Sequence, residues 1–278
     1  MYTLYKMSIP AYAAYLRELE RSPATVEKYV HALRKFYLWL EGRGVDKGRV
    51  IDYKAYLKER YAASTVNGEL AALNGFFRFQ KWEDCTVKLL RIQRRIFCPE
   101  HRELSRAEYE TLVETAEREG KRRLSLLLQL MASTGIRVSE ITYVTAQTVA
   151  AGQVEIQLKG KIRVILLPKK LCRKLKGYLR AENIDSGPVF RGKDGSPMGR
   201  KVIWAQMKQL CHRAGVPPEK VFPHNLRHLF ARSFYRAQKD IAKLADLLGH
   251  SSVQTTRIYL VSSGAEHRRL LERLQLVC

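Results

Sequence analysis

Apolar residues in this chain recur at helical spacing over most of its length, and the period changes to two at one place. There, Gln153-Val-Glu-Ile-Gln-Leu158 and Ile162-Arg-Val-Ile-Leu-Leu167 alternate around a short Lys-Gly-Lys turn and read as a β-hairpin. The pattern therefore predicts a mainly α fold with one small β element. In the first half, Ser22-Pro23 offers an N-cap with proline at the first helical position. Val26, Tyr29, Val30, Leu33, Phe36, Tyr37 and Leu40 follow on one face, and Gly42 supplies the stop. Further helices are expected over about 8–20, 50–61 and 64–81, the last capped by Ser64. Lys28, Arg34 and Lys35 lie off the apolar stripe, where they either touch phosphates or face water.

The second half opens with a capping box, Ser105-Arg-Ala-Glu108. An apolar helix is expected over about 121–134, stopped by Gly135. After the hairpin, helices are expected over about 169–182, 199–214, 224–237, 240–249 and 264–275, with a turn-rich loop at 191–197.

The chain's 278 residues allow one large domain or two modest ones. The charge is divided unevenly. Residues 1–90 carry 15 basic and 10 acidic side chains, net +5, whereas 91–278 carry 35 and 17, net +18. Between the halves, Arg91 to Arg102 is basic, holds Pro99 and shows no period, as a linker along a phosphate backbone or a plain exposed loop would. The expected organisation is a small helical domain over 1–90, a basic linker over 91–103, and a larger domain over 104–278 ending in a helix at 264–278.

The overall excess of 50 Lys and Arg over 27 Asp and Glu, net +23, points to a polyanionic partner, nucleic acid first. A hydrophobic content of 46% supports a real core and excludes wholesale disorder. The longest apolar run, Leu124 to Ala132, is broken by Ser125 and Gln129 and is too short to span a membrane. The first ten residues lack the pattern of a secretory signal. Five cysteines with no CxxC support neither a disulfide framework nor a zinc ribbon, and a reduced cytoplasmic protein is expected.

Several polar residues fall at places that packing alone does not explain. Arg137 lies in Thr134-Gly-Ile-Arg-Val-Ser-Glu140, just past an apolar helix. His224-Asn-Leu-Arg-His228 puts His224 and Arg227 on one helical face. Leu248-Gly-His250 ends another helix, Tyr259 follows, and Lys159 sits at the hairpin tip. Two arginines, two histidines, a lysine and a tyrosine with no carboxylate cluster suit a phosphodiester. The His224/His228 pair has metal spacing, but Asn225 stands where a zincin motif needs glutamate, so no metal is expected.

In their order and spacing over residues 134–259 these motifs closely resemble the tyrosine recombinase (phage integrase) family. The resemblance extends to the layout of a helical core-binding domain, linker and catalytic domain. It is nearest the short Xer-like or transposon-type members, since the few residues before the first helix leave no room for an arm-binding domain. It implies a site-specific recombinase in which Tyr259 attacks a scissile phosphate to give a 3′-phosphotyrosine and a free 5′ hydroxyl. It implies double-stranded DNA with a specific site as partner, no cofactor, and a homotetramer on DNA formed through the C-terminal helix. The location would be cytoplasmic and nucleoid-associated.

Physical chemistry supports each role. Arg137 and Arg227 carry planar forks suited to phosphate oxygens. His224 and His250 would donate to the phosphate or assist proton movement from the tyrosine. Tyr259, with an ordinary pKa of about 10, needs cationic neighbours or a base. Lys159 would protonate the leaving oxygen. The family hairpin often reads GKGxKxR, whereas Leu158-Lys-Gly-Lys-Ile-Arg163 is shortened here, so Lys161 competes for that role. Glu140 either orients Arg137 or is an exposed helix residue, and His228 supports the site or simply packs. The C-terminal stripe of Leu270, Leu271, Leu274 and Val277 either packs on its own domain or docks into a neighbouring protomer. A type IB topoisomerase and a noncatalytic DNA-binding regulator are the rival readings.

Overall fold

The computed structural model describes residues 1–92, 103–158, 161–192, 194–250, 252–260 and 272–273, with the side chains of Leu158, Lys161 and Leu260 outside the description. The chain divides into two compact units, Met1–Arg94 and Arg95–Cys278, each with its own core.

The first unit consists of α1 (Ser8–Glu18), α2 (Pro23–Leu40), α3 (Lys47–Arg60), α4 (Ala63–Phe79) and a 3-10 turn at Glu83–Cys85. Leu33, Phe36, Leu57, Leu70, Phe76 and Phe77 are fully buried at its centre. Several helix ends differ from the sequence expectation. Ser22 precedes α2 but makes no side-chain cap; its hydroxyl pairs with that of Thr25 at 2.8 Å. The stop comes one residue before Gly42, with Glu41 itself left-handed at φ 49°. α3 begins earlier than the apolar pattern suggests, because Asp46 caps it by accepting from the Arg49 N–H at 2.9 Å. Ser64 is not a cap but lies inside α4, whose N-cap is Ala62. Beyond the 3-10 turn, Asn74 and Asn67 of α4 each bond a backbone N–H and a carbonyl, of Val87 and Leu90 respectively. Two asparagines seven positions apart thus strap an extended segment along α4.

The second unit contains α5 (Arg106–Arg118), α6 (Arg122–Thr134), a 3-10 stretch (Val138–Tyr143), α7 (Ala146–Ala151), β1 (Gln153–Leu158) and β2 (Lys161–Leu166). It continues with α8 (Lys169–Ala181), α9 (Arg200–Ala214), α10 (Pro223–Gln238), α11 (Ile241–Leu248), α12 (Val253–Arg257) and a 3-10 turn (Ile258–Leu260). The capping box at Ser105 and Glu108 has both its bonds. The sequence pattern predicts neither the 3-10 stretch nor α7, both being too short to show a helical period. The strands are antiparallel with Val154 opposite Ile165 and Ile156 opposite Arg163. Val154, Ile156 and Ile165 face the core, while Ile162, Val164 and Leu166 face outward and are exposed.

Gly135 and Gly249 are two of the glycines that end helices of the second unit. Gly135 ends α6 at φ 63°, and a Cβ there would meet Phe230 Cδ1 at 2.5 Å and Leu248 Cδ2 at 3.0 Å. Gly249 ends α11 at φ 62°. Both require the left-handed region that glycine enters at least cost. The expected C-terminal helix at 264–278 falls outside the described residues, apart from Glu272 and Arg273, which are helical. Lys159 and residues 93–102 of the linker lie outside them too. Among the described residues no helix is long and apolar enough to cross a membrane.

Candidate active site

The ends of α6 and α11, the start of α10, the inward face of the hairpin and the last 3-10 turn meet in the second unit. They bring Arg137, His224, Arg227, His250 and Tyr259 together. Lys159 lies outside the described residues.

Arg227 is the centre of the arrangement and is only 1% exposed. Its Nη1 donates to the carbonyl of Gly135, and its Nη2 donates to that of Leu248 at 2.7 Å. These oxygens lie at the C-terminal ends of α6 and α11, where carbonyls have no helical partner and the helix dipole is negative. The two glycine stops therefore build a socket for a buried cation. Burial, then repulsion from Arg137, still pulls the Arg227 pKa below its ordinary value.

The same Nη2 lies 2.9 Å from His250 Nε2. A guanidinium only donates, so Nε2 accepts, the imidazole is neutral, and its Nδ1–H faces the buried Thr256 hydroxyl at 2.9 Å. Burial, followed by Arg227, Arg137 and Arg163, pushes the His250 pKa down to about 4.

Arg137 caps the 3-10 stretch and is 40% exposed on its side chain. Its Nη1 donates to Glu140 Oε1 at 2.8 Å, its backbone N–H to Glu140 Oε2 at 2.8 Å, and its Nη2 to the Gly249 carbonyl at 3.5 Å. Glu140 is 2% exposed, so it is not a surface helix residue but the carboxylate that fixes Arg137. It also pairs with Arg163 Nη2 at 3.4 Å. Arg163 in turn donates from Nη1 to the Leu248 carbonyl. Its pKa falls to about 10 through burial, with Glu140 opposing and Arg227 and Arg137 reinforcing the shift.

Tyr259 is 6% exposed and packs on Ala231, Leu244 and Leu248. Three imidazoles surround its ring, with centroids at 4.4 Å for His228, 5.4 Å for His224 and 5.5 Å for His250, the last stacked at 19°. The Arg227 guanidinium lies 5.9 Å from the ring centroid. His224 is at the exposed mouth, edge to face with His228 at 4.7 Å. Lost hydration comes first, then Arg227 and Arg137, in lowering the His224 pKa. Burial, then His224 and Arg227, takes His228 to about 4.

Two guanidiniums, of Arg137 and Arg163, thus pair with the buried Glu140 carboxylate, and a third, of Arg227, lies near the Tyr259 ring, which leaves a net positive pocket. Such a pocket suits a phosphate oxygen anion. Sequence reasoning passed over Arg163 and Thr256 and left Glu140 open. Arg163 did carry a signal, a charged residue at the inward register of an alternating strand, whereas nothing local marked Thr256.

The fold and this pocket define a DNA breaking-and-rejoining enzyme of the tyrosine recombinase type. The sequence matches the phage integrase family over residues 102–266 and the phage integrase N-terminal SAM-like domain over residues 9–84, and the chain belongs to the phage integrase family. It is 30% identical to tyrosine recombinase XerA of Thermococcus onnurineus over 278 residues, covering 97% of this chain and 95% of that protein. It is 29% identical to tyrosine recombinase XerD of Pseudomonas aeruginosa over 257 residues, covering 84% and 85%. Among solved structures, XerH bound to its difH substrate before cleavage superposes with a TM-score of 0.71 at 20% identity, over 96% of this chain and 84% of that one. A lambda integrase tetramer on a Holliday junction gives 0.75 at 16% identity, over 92% and 77%. At these identities the two structures show the fold.

Proposed function

We propose that the protein exchanges DNA strands at a specific duplex site, with Tyr259 as the nucleophile. The tyrosine oxygen attacks the scissile phosphorus, the bond to the 5′ oxygen breaks, and a 3′-phosphotyrosine and a 5′ hydroxyl result. A 5′ hydroxyl from a second strand reverses the attack. Each step exchanges one phosphodiester for another, so no nucleotide cofactor is needed. Arg137 and Arg227 hold the nonbridging oxygens and stabilise the charge that builds there. His224 and His250 are neutral at pH 7 by the direction of their shifts, which favours their taking part in the tyrosine's proton movement. Lys159, or Lys161 in its place, protonates the leaving 5′ oxygen.

The observation that carries this reading is the enclosed Tyr259, ringed by three imidazoles beside an arginine socketed on two helix ends. The names of the relatives support recombination over supercoil relaxation or noncatalytic regulation. Residues 1–90 are proposed as the core-binding domain, 91–103 as the linker and 104–278 as the catalytic domain. Two compact units and two family matches support that division. A homotetramer on DNA is proposed, in line with the lambda integrase tetramer, with the segment 264–278 proposed as its connector from the apolar stripe in its sequence. The work would be done in the cytoplasm, on the nucleoid. The test is a nicked suicide duplex of a candidate site, with a covalent protein–DNA adduct sought on a denaturing gel. Loss of that adduct in Tyr259→Phe with DNA binding retained is expected, and an undiminished adduct would remove Tyr259 from the role.

A further inference from the structure

Arg163 has a placement that holding a phosphate does not require. It occupies the hairpin face whose other described side chains, Val154, Ile156 and Ile165, are buried and apolar. Its own side chain is 10% exposed. Burying a guanidinium on a two-stranded sheet is costly unless its partners are fixed. Here they are two separate elements: the Glu140 carboxylate of the 3-10 stretch and the Leu248 carbonyl at the end of α11. The end of α11 is shaped around this side chain. A Cβ on Gly249 would collide with Arg163 Cδ and lie 3.1 Å from its Nη1. The next residue is His250, and the Gly249 carbonyl receives Arg137.

Besides Arg163, the hairpin is held by Val154, Ile156 and Ile165, which are buried in the core of the larger unit. It is two strands of six residues, with Ile162, Val164 and Leu166 facing outward and exposed. A two-stranded hairpin is marginal by itself. The lysine candidates are carried at its tip and at the head of β2.

Resting on the recombinase reading, we infer that Arg163 is a positioning residue, a clip that fastens the hairpin to the end of α11 and so holds the hairpin lysine at the leaving 5′ oxygen. It takes no part in the bond changes. Releasing the clip lets the lysine drift, and displacement of a reacting group by about 1 Å costs roughly 10²-fold in rate.

The test uses the full chain and a suicide duplex built on a sequence that the wild-type protein selects from a random duplex library. Arg163→Met keeps the apolar stem and removes the fork. It is expected to form adduct roughly 10²-fold more slowly on the ordinary duplex. On the same duplex with sulfur at the bridging 5′ position, which leaves without a proton, it should stay within about threefold of wild type. Equal loss on both substrates would show that Arg163 acts through the phosphate cradle or the fold, and no loss on the ordinary duplex would show that it does nothing; either overturns the clip. Arg163→Lys, which keeps the charge but not the fork, should show the same selective rescue if the Met variant unfolds. Amide exchange of the DNA-free protein separates the clip from the recombinase reading. A wild type that forms no Tyr259-dependent adduct would overturn the recombinase reading and, with it, the lysine's placement. The clip itself predicts that amides of 153–158 and 162–166 exchange about tenfold faster in Arg163→Met while those of α9 keep their protection. Unchanged hairpin protection would overturn it whatever the DNA assay shows.

Discussion

Arg137 and Arg227 are proposed to serve one phosphate, yet removing them should affect the fold very differently. Arg227→Ala takes a fully buried guanidinium from the Gly135 and Leu248 carbonyls and from His250. Leu248 keeps Arg163, but Gly135 loses its side-chain donor, and an orphaned buried polar group costs about 1–3 kcal/mol. Loss of the packed stem adds a cavity. Relief of the repulsion from Arg137 offsets part of this, leaving a net loss of about 2–4 kcal/mol. At roughly 2–4 °C per kcal/mol for a unit of this size, Tm should fall by about 5–15 °C. Arg137→Ala removes a side chain that is 40% exposed, and Glu140 keeps both Arg163 and a backbone N–H. The cost should be about 0–1 kcal/mol, with Tm within about 3 °C of wild type. Both variants should lose about 10²–10³ in adduct formation. Calorimetry of the full chain at pH 7, read on the transition of the larger unit, together with single-turnover cleavage, checks the pair. If Arg137→Ala melts lower than Arg227→Ala, or both melt with wild type, the socket formed by the two helix ends does not hold the fold as argued.

Further outcomes are open to measurement. His228 and His250 each sit near 4 in the folded protein against 6.5 ordinarily, so the unfolded chain takes up protons first as pH falls. Stability of the larger unit should be fully present above about pH 6.5 and decline towards about pH 4, with His228→Gln flattening the slope; a Tm constant across that window would refute this. Lys161→Ala and Lys159→Ala can be compared on ordinary and 5′-phosphorothiolate duplexes. The variant lacking the general acid should be rescued by sulfur and the other should cleave both, so rescue of Lys159→Ala alone would assign the role to Lys159. Truncation after Ser263 should leave single-site binding intact and abolish cooperative two-site binding and recombination. Wild-type synapsis by the truncated chain, seen by native gel, would remove the C-terminal helix from assembly.

What could be read along the chain was whatever depends on near neighbours. The helical period of Val26 to Leu40, the Ser105–Glu108 capping box, the glycine stops at 135 and 249 and the alternation on either side of Lys159 and Gly160 are local patterns, and each appears in the fold. The motif residues Arg137, Arg227, His224, His250 and Tyr259 could be singled out because their order and spacing resemble those of the tyrosine recombinase family, and the fold brings them together. Helix starts were less legible. Asp46 caps α3 ahead of any apolar residue, and Ala62 begins α4 with no side-chain cap at all. Only tertiary structure could decide which partners the charged groups take, since burial sets the strength of those pairings and arises from distant segments. Arg227 finds its carbonyl acceptors 92 and 21 residues away. Glu140, equally consistent with an exposed or a buried place by its sequence, becomes the buried carboxylate shared by Arg137 and Arg163. Arg163 reads locally as one polar residue in an alternating strand. It becomes a link between the hairpin and α11 because the left-handed turn at Gly249 leaves room for its side chain, a fit that exists only once both segments have folded.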